Sequence, residues 1–452
     1  MKKFETIVFV LLLMIALLMQ GCSSSKYPEE RNKQWVKDIE YVQKSLPLLH
    51  ANLFALMKEE DFNTQMEKLK KDIPEINDDE IQIRLMEILA PAGDAHLIVM
   101  NVFNDVMDLF ASNAFYGVSC ESGLKEMLPV KALWFGDDMI VVQADKEYEE
   151  LLGAKMVKIG DKPVSEAMDS INTLISHNNQ QRLKYMNVML FCHPQVLRHF
   201  GLLKGDKLSL ELIQENGQTI SKDVKVKKLE KIRMVSVTES LSERPLYMSR
   251  EDYFWYEYLP ESNAVYFRLR TYGDMSIPVK ATYGEEVKKT SKEPSPYNSF
   301  STFLQDMIKC IEDKKPEKII IDLRGNNGGY IPILDPLRKF IKDNQNIPVE
   351  GSVFILEDKG CFSAPILDGT LYKPDLKALV VGEETGERPF IMGAGAYVLS
   401  LPNSRVSILY AKGEFKAVDE NVHTLVPDIK VDTTFEDYKN GVDPVLQKAL
   451  DY

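Results

Sequence analysis

Apolar residues early in the chain recur at intervals of three and four: Trp35, Ile39, Val42, Leu46 and Leu49, then Phe62, Met66 and Leu69, then Ile81, Leu85, Met86 and Leu89. That spacing places each set on one face of a helix. Pro74 and the Asn77-Asp78 pair break the pattern, so residues 35–100 predict a small helical domain of successive short helices. Over residues 101–232 the signal changes to β-type runs, MIVVQA, KMVKIG and KLSLELI, with Asn216-Gly217 marking a hairpin turn and a helical piece over 164–175. From residue 245 onward strand, loop and helix alternate. AVYFRLR, KIIIDL, SVFIL and ALVVGE read as strands, and helices are expected over 300–311 and 334–341. KIIIDL is almost wholly apolar, as a strand covered on both faces should be. The alternation predicts a largely parallel sheet with helices packed on it. The polar stretch 274–299 is expected to be a surface insertion.

Composition narrows the class. The chain has 452 residues, 44% hydrophobic and 27% charged, which suits a folded protein of two or three domains. Its formal net charge of -13 argues against sequence-independent nucleic-acid binding. The N-terminus adds a location. Lys2 and Lys3 precede an apolar run over residues 7–19, then Gly21, Cys22 and three serines. This has the parts of a secretion signal, with an apolar core too short for a comfortable membrane span. Beyond Cys22 the cysteines are Cys120, Cys192, Cys310 and Cys361, too few and too scattered for a disulfide scaffold, and no CxxC or HExxH motif suggests a metal site.

The chemistry gathers at three predicted strand ends, where open α/β sheets place their sites. After KIIIDL comes Arg324-Gly325-Asn326-Asn327-Gly328-Gly329. After SVFIL comes GCFSAPI, centred on Ser363. After ALVVGE comes Glu384-Thr385-Gly386-Glu387-Arg388. Ser363 sits where the chain enters a helix, and Pro365 suits the first turn. Two readings of this serine stand equal on the local sequence: a helix N-cap, and a nucleophile. For the second, the Ala364 N–H has no helical partner and is placed to face a negative oxygen, with Gly328 or Gly329 as second donor. RGNNGG lacks the spacing of a phosphate or dinucleotide loop.

Several of these segments resemble known families. Cysteine directly after the small residue is similar to a bacterial lipoprotein signal, which implies a mature chain beginning at a lipidated Cys22 in the cell envelope. LLGAKMVKIGDKPVSEAM resembles the second half of a PDZ module. KIIIDLRGNNGG, GCFSAPI, VVGEETGERP, LPNSRVSI and LVPDIKV, in that order, resemble the S41 serine peptidases, which include the tail-specific or C-terminal processing proteases and the tricorn core type. That resemblance implies an α+β multidomain fold. Its parts are a signal peptide over 1–21, a tether over 22–34, a helical domain over 35–100, a PDZ-like β-rich domain over 101–232 and a ClpP/crotonase-like peptidase core over 245–452. It implies peptide-bond hydrolysis of peptide or protein substrates through an acyl-enzyme on Ser363, without metal or cofactor, and an oxyanion site from Ala364 with Gly328 or Gly329.

The base follows the tricorn-like branch, in which His96 of GDAHL matches the catalytic histidine and Glu420 matches a supporting glutamate. Two positions depart from the family. Arg388 stands where the processing proteases carry a lysine base, and arginine stays protonated. Ala95 stands where a serine would support the histidine. These departures keep a second reading in view, a peptide-binding envelope lipoprotein that has the peptidase fold without turnover. Whether Ser363 and His96 come within hydrogen-bond reach discriminates the two.

Overall fold

The computed structural model describes residues 25–452 apart from 101, 103–123, 251, 274–298, 345–346, 348–350, 392–395, 414, 417, 419–421 and 423. The signal segment with Cys22, nearly all of the expected insertion and Glu420 therefore lie outside the described residues.

The N-terminal layer is built from α1 (Glu29–Leu49), α2 (Glu59–Asp72) and α3 (Asp78–Leu89), whose periodic apolar residues share one core. Asn77 caps α3 by accepting the Glu80 N–H at 2.8 Å. Helix α1 starts at Glu29, inside the stretch that polarity alone marks as a tether. The reason is docking by polar side chains: Arg31 donates to the Asp78 carboxylate at 2.8 Å and to the carbonyls of Ile73 and Ile76, and buried Asn32 bonds Ser25. After α3 the chain turns through Gly93, in the left-handed region at φ 67°, into the short strand β1 (Ile98–Val99).

The middle layer holds β2 (Val130–Phe135), β3 (Asp138–Asp145), β4 (Lys155–Ile159), α4 (Val164–Asn172), α5 (Gln180–Leu190), β5 (Lys207–Ile213), β6 (Thr219–Lys225) and β7 (Met234–Ser236). The sheet runs β7-β3-β4-β5-β6, antiparallel, with β2 also paired to β3. The Asn216-Gly217 turn joins β5 to β6, with Gly217 at φ 82°. The expectation of mostly strand over 101–232 misses α5. That helix buries residues on several sides, including Arg182, Leu183, Val188 and Met189, so its sequence shows no single apolar face to betray it.

The C-terminal layer is a six-stranded sheet. Its elements are β8 (Phe254–Leu259), β9 (Ala264–Leu269), α6 (Phe300–Lys314), β10 (Lys318–Asp322), α7 (Asp335–Asp343), β11 (Val353–Glu357), α8 (Ala364–Leu376), β12 (Leu379–Gly382), β13 (Ala396–Ser400), β14 (Ser407–Ala411), β15 (Ile429–Lys430) and α9 (Pro444–Asp451). The strand order is β8-β9-β10-β11-β12-β15, with β8 antiparallel to β9 and every other pairing parallel, as the near-continuous apolar runs demand. Helices α6, α7 and α8 cover one face around Phe267, Ile321 and Ile355, while α9 covers the other around Ile320, Phe354 and Leu356.

One part of 245–452 packs elsewhere. The β13–β14 hairpin pairs with β1, Ile98 opposite Leu409, and its Leu399, Leu401 and Ile408 enter the core of the N-terminal helices. Buried Asp38 of α1 holds the hairpin turn by accepting the N–H groups of Asn403 and Ser404 at 3.0 and 2.7 Å. This clasp draws the segment carrying His96 toward the C-terminal sheet.

Candidate active site

The loops after β10, β11 and β12 converge at the carboxyl ends of their strands. Phe362 N–H donates to the Asn326 carbonyl at 3.0 Å, and Gly386 N–H donates to the Cys361 carbonyl at 3.1 Å. A Cβ on Gly386 would stand 2.4 Å from the Lys359 carbonyl oxygen, so glycine is what lets the third loop close on the second. Gly328 abuts the serine in the same way, its notional Cβ 2.8 Å from both the Ser363 Cβ and the Phe362 carbonyl oxygen.

Ser363 adopts φ 67°, ψ -115°, a conformation costly for any residue with a side chain. Its hydroxyl makes no cap to the first turn of α8, although the residue stands at that helix's N-terminus. It faces His96 instead, with Oγ 3.2 Å from Nε2. The N-cap reading of the sequence is thus not the one the side chain follows.

His96 is buried and held from three sides. Its backbone N–H donates to Asp94 Oδ1 at 2.9 Å, and its Nδ1 lies 3.2 Å from Glu387 Oε1, an ion-pair contact that falls short of hydrogen-bond alignment. Its ring rests against Phe362, centroids 4.6 Å apart. Asp94 Oδ1 is 3.8 Å from Nδ1, so that carboxylate holds the backbone more than the ring. Asp94 is itself fixed by buried His50. Because His50 Nδ1 accepts the Asn52 N–H at 3.0 Å, its Nε2 carries the proton and donates to Asp94 Oδ2 at 2.9 Å. Burial depresses the His96 pKa. The charge of Glu387, its contact with the ring and the charge of Asp94 outweigh that effect, with Arg182 opposing them, and leave the imidazole above its ordinary value.

Glu387 is the site residue the sequence reading passes over. It is fully buried, and its second oxygen accepts the Ser363 N–H at 2.8 Å, so one carboxylate touches both the serine backbone and the histidine ring. The signal was its place in the third strand-end loop, one residue before Arg388. Glu420, the expected carboxylate, lies outside the described residues. Arg388 donates from Nε to the Val422 carbonyl at 3.3 Å and from its backbone to Asn178. Ala95 lines a small cavity with Leu89, Leu97 and Leu190, to which Ser176 and Arg182 also contribute.

Of the expected oxyanion donors, Ala364 N–H donates to no group among the described residues. Gly328 N–H is committed to Asn326 Oδ1 at 2.8 Å, whereas Gly329, at φ 137°, keeps its N–H without a partner among them. The middle layer adds a wall through α5. Asn179 donates to the Thr385 carbonyl at 3.1 Å, Arg182 to Asn327 Oδ1 at 3.3 Å, and Asn327 to the Tyr185 hydroxyl at 3.0 Å. No cluster of metal-ligating side chains occurs among the described residues.

No family model matches the sequence, and no curated protein matches it. Solved structures do match. Mature CPAF aligns over 94% of this chain and 96% of its own, with a TM-score of 0.58 at 13% identity. Mature CPAF complexed with lactacystin aligns over 94% and 98%, with a TM-score of 0.56 at the same identity. The tricorn protease aligns more loosely, over 93% of this chain and 36% of its own, with a TM-score of 0.40 at 10% identity. The fold is that of mature CPAF.

Proposed function

We propose that this chain, which has an S41-like peptidase fold, hydrolyses peptide bonds through an acyl-enzyme on Ser363. The observation that carries the reading is the contact of Ser363 Oγ with His96 Nε2 at 3.2 Å, across a junction of elements 267 residues apart in sequence. The buried Glu387 carboxylate beside Nδ1 favours the tautomer with its proton on Nδ1, leaving the Nε2 lone pair toward the serine. His96 takes the hydroxyl proton as Oγ attacks the carbonyl carbon. Charge develops on the substrate oxygen, which would be met by the N–H groups of Ala364 and Gly329, neither of which has a partner among the described residues. The proton on Nε2 then passes to the leaving amine, and water repeats the sequence to release the acid. Glu387 stabilises the imidazolium in each half of the cycle, and Glu420 is kept as a carboxylate that helps position the substrate or the catalytic groups.

The same reading takes the middle sheet as PDZ-like, supported by the order β4, turn, α4, and the C-terminal sheet as a ClpP/crotonase-like core. We further read the N-terminus as exported and lipid-anchored at Cys22 in a bacterial cell envelope, with peptides or protein ends as substrates.

The test is labelling of the purified soluble domain with a fluorophosphonate probe beside Ser363→Ala and His96→Ala. We expect labelling to vanish in the first and to fall sharply in the second. A folded wild type that stays unlabelled while a control hydrolase reacts would favour the binding lipoprotein without turnover.

A further inference from the structure

Helix α5 carries a buried arginine into the wall of the site. Arg182 is 1% exposed, and its guanidinium carbon lies 3.9 Å from the centre of the Phe362 ring. That ring meets the His96 ring at 4.6 Å with 38° between planes. Guanidinium, phenyl and imidazole are thus in contact in series, and Phe362 is the residue immediately before the nucleophile. The same arginine donates to Asn327 Oδ1 at 3.3 Å, next to the Gly328-Gly329 pair. A planar cation on an aromatic face is attractive, more so away from water. One side chain of the middle layer therefore touches the loop before the serine and the loop beside the expected oxyanion donors.

Resting on the peptidase reading above, we propose that Arg182 is a positioning residue: it clamps Phe362 against His96 and steadies the Asn327 loop, so that the middle domain sets the alignment of the base and the nucleophile. Neither α5 nor Arg182 belongs to the groups that exchange protons or bonds with a substrate. Their contribution is geometric and electrostatic. The charged groups facing His96 are Glu387 from the loop after β12, Asp94 from its own segment and Arg182 from α5, with His50 behind Asp94. Two carboxylates hold a proton on the ring, and Arg182 is the cation that opposes them. Without it, His96 would keep its proton to higher pH.

The experiment follows His96 and Ser363 separately in the whole soluble protein, comparing wild type with Arg182→Met and Arg182→Lys. NMR titration of carbon-labelled histidine reads the midpoint of His96 without any turnover, and the rate of fluorophosphonate labelling against pH reads the serine. Arg182→Met keeps the length and apolar stem but removes the charge. We expect its His96 midpoint to move to higher pH and its labelling at neutral pH to slow several-fold, recovering toward wild type in alkali. Arg182→Lys keeps the charge but loses the planar guanidinium, so its midpoint stays near wild type while labelling is slow throughout. A folded Arg182→Met with wild-type midpoint and wild-type labelling overturns the proposal. If that variant does not fold, Arg182→Lys decides, and wild-type labelling in it overturns the clamp. A wild type that never labels sinks the peptidase reading alone, because the midpoint shift is measured regardless.

Discussion

Replacing Glu387 with glutamine gives the sharpest test of the site. The substitution keeps the shape, and an amide oxygen can still accept the Ser363 N–H now held at 2.8 Å. What it removes is the negative charge 3.2 Å from His96 Nδ1, in a setting where both side chains are buried. At an effective dielectric constant of 20, a charge pair at that distance is worth about 5 kcal/mol. Since about 1.4 kcal/mol is tenfold in rate, this caps the loss at nearly 10⁴-fold. Relaxation of the site and the residual field of Asp94 reduce it, so we expect labelling by a fluorophosphonate, or kcat/KM on a peptide once one is found, to fall by about 10² to 10³. The pH profile should move as well. Glu387 is the chief group raising the His96 pKa against burial, so without it the histidine loses its proton at lower pH and the acidic limb of activity shifts downward. A Glu387→Gln protein with the wild-type rate and the wild-type acidic limb would refute the assignment of this carboxylate to the base.

Three further outcomes are expected. Ser363→Gly should melt above Ser363→Ala by the equivalent of about 1 kcal/mol, because only glycine takes φ 67° without strain; equal melting would show that the elbow is not strained. Asp322→Ala should destabilise the fold by about 3 to 5 kcal/mol in chemical denaturation, since it takes the carboxylate from buried Arg268 and leaves Arg324 with Asp443 alone. In the wild type those arginines outweigh burial and bring the Asp322 pKa down to about 2, so the stability it contributes is full above pH 3.8 and is lost as pH falls toward 2. Asp368 on α8 is the opposite case: burial pushes its pKa up to about 7. Stability from this group is full below pH 3.8 and drains away as pH rises toward 7, so Asp368→Asn should raise the melting temperature at pH 8 and not at pH 4.

Much of the fold was legible because burial leaves a period in the sequence. The helical repeats of α1 to α3, the hairpin at Asn216-Gly217 and the apolar strands of the C-terminal sheet all answer to one buried face or two, and the structure places each where its pattern falls. Where side chains are buried all round, the period vanishes, and α5 shows the consequence. Where polar side chains do the docking, as Arg31 and Asn32 do, a helix reads as a tether.

The site divides along a similar line. The sequence by itself determined that three strand-end loops carry unusual residues and that Ser363 enters a helix beside a small-residue run, since local composition and the chain's own turns encode those facts. It left the serine poised between cap and nucleophile. Only the tertiary structure decided which group its hydroxyl faces, because His96 arrives from another layer, drawn in by β1 pairing with the β13–β14 hairpin. Only the tertiary structure set Glu387 against His96 rather than leaving it one more acid in an acidic loop, and brought Arg182 over Phe362. Local sequence fixes what a segment can form. The charge, burial and reach that turn a side chain into a site come from segments distant in the chain, and those meet only on folding.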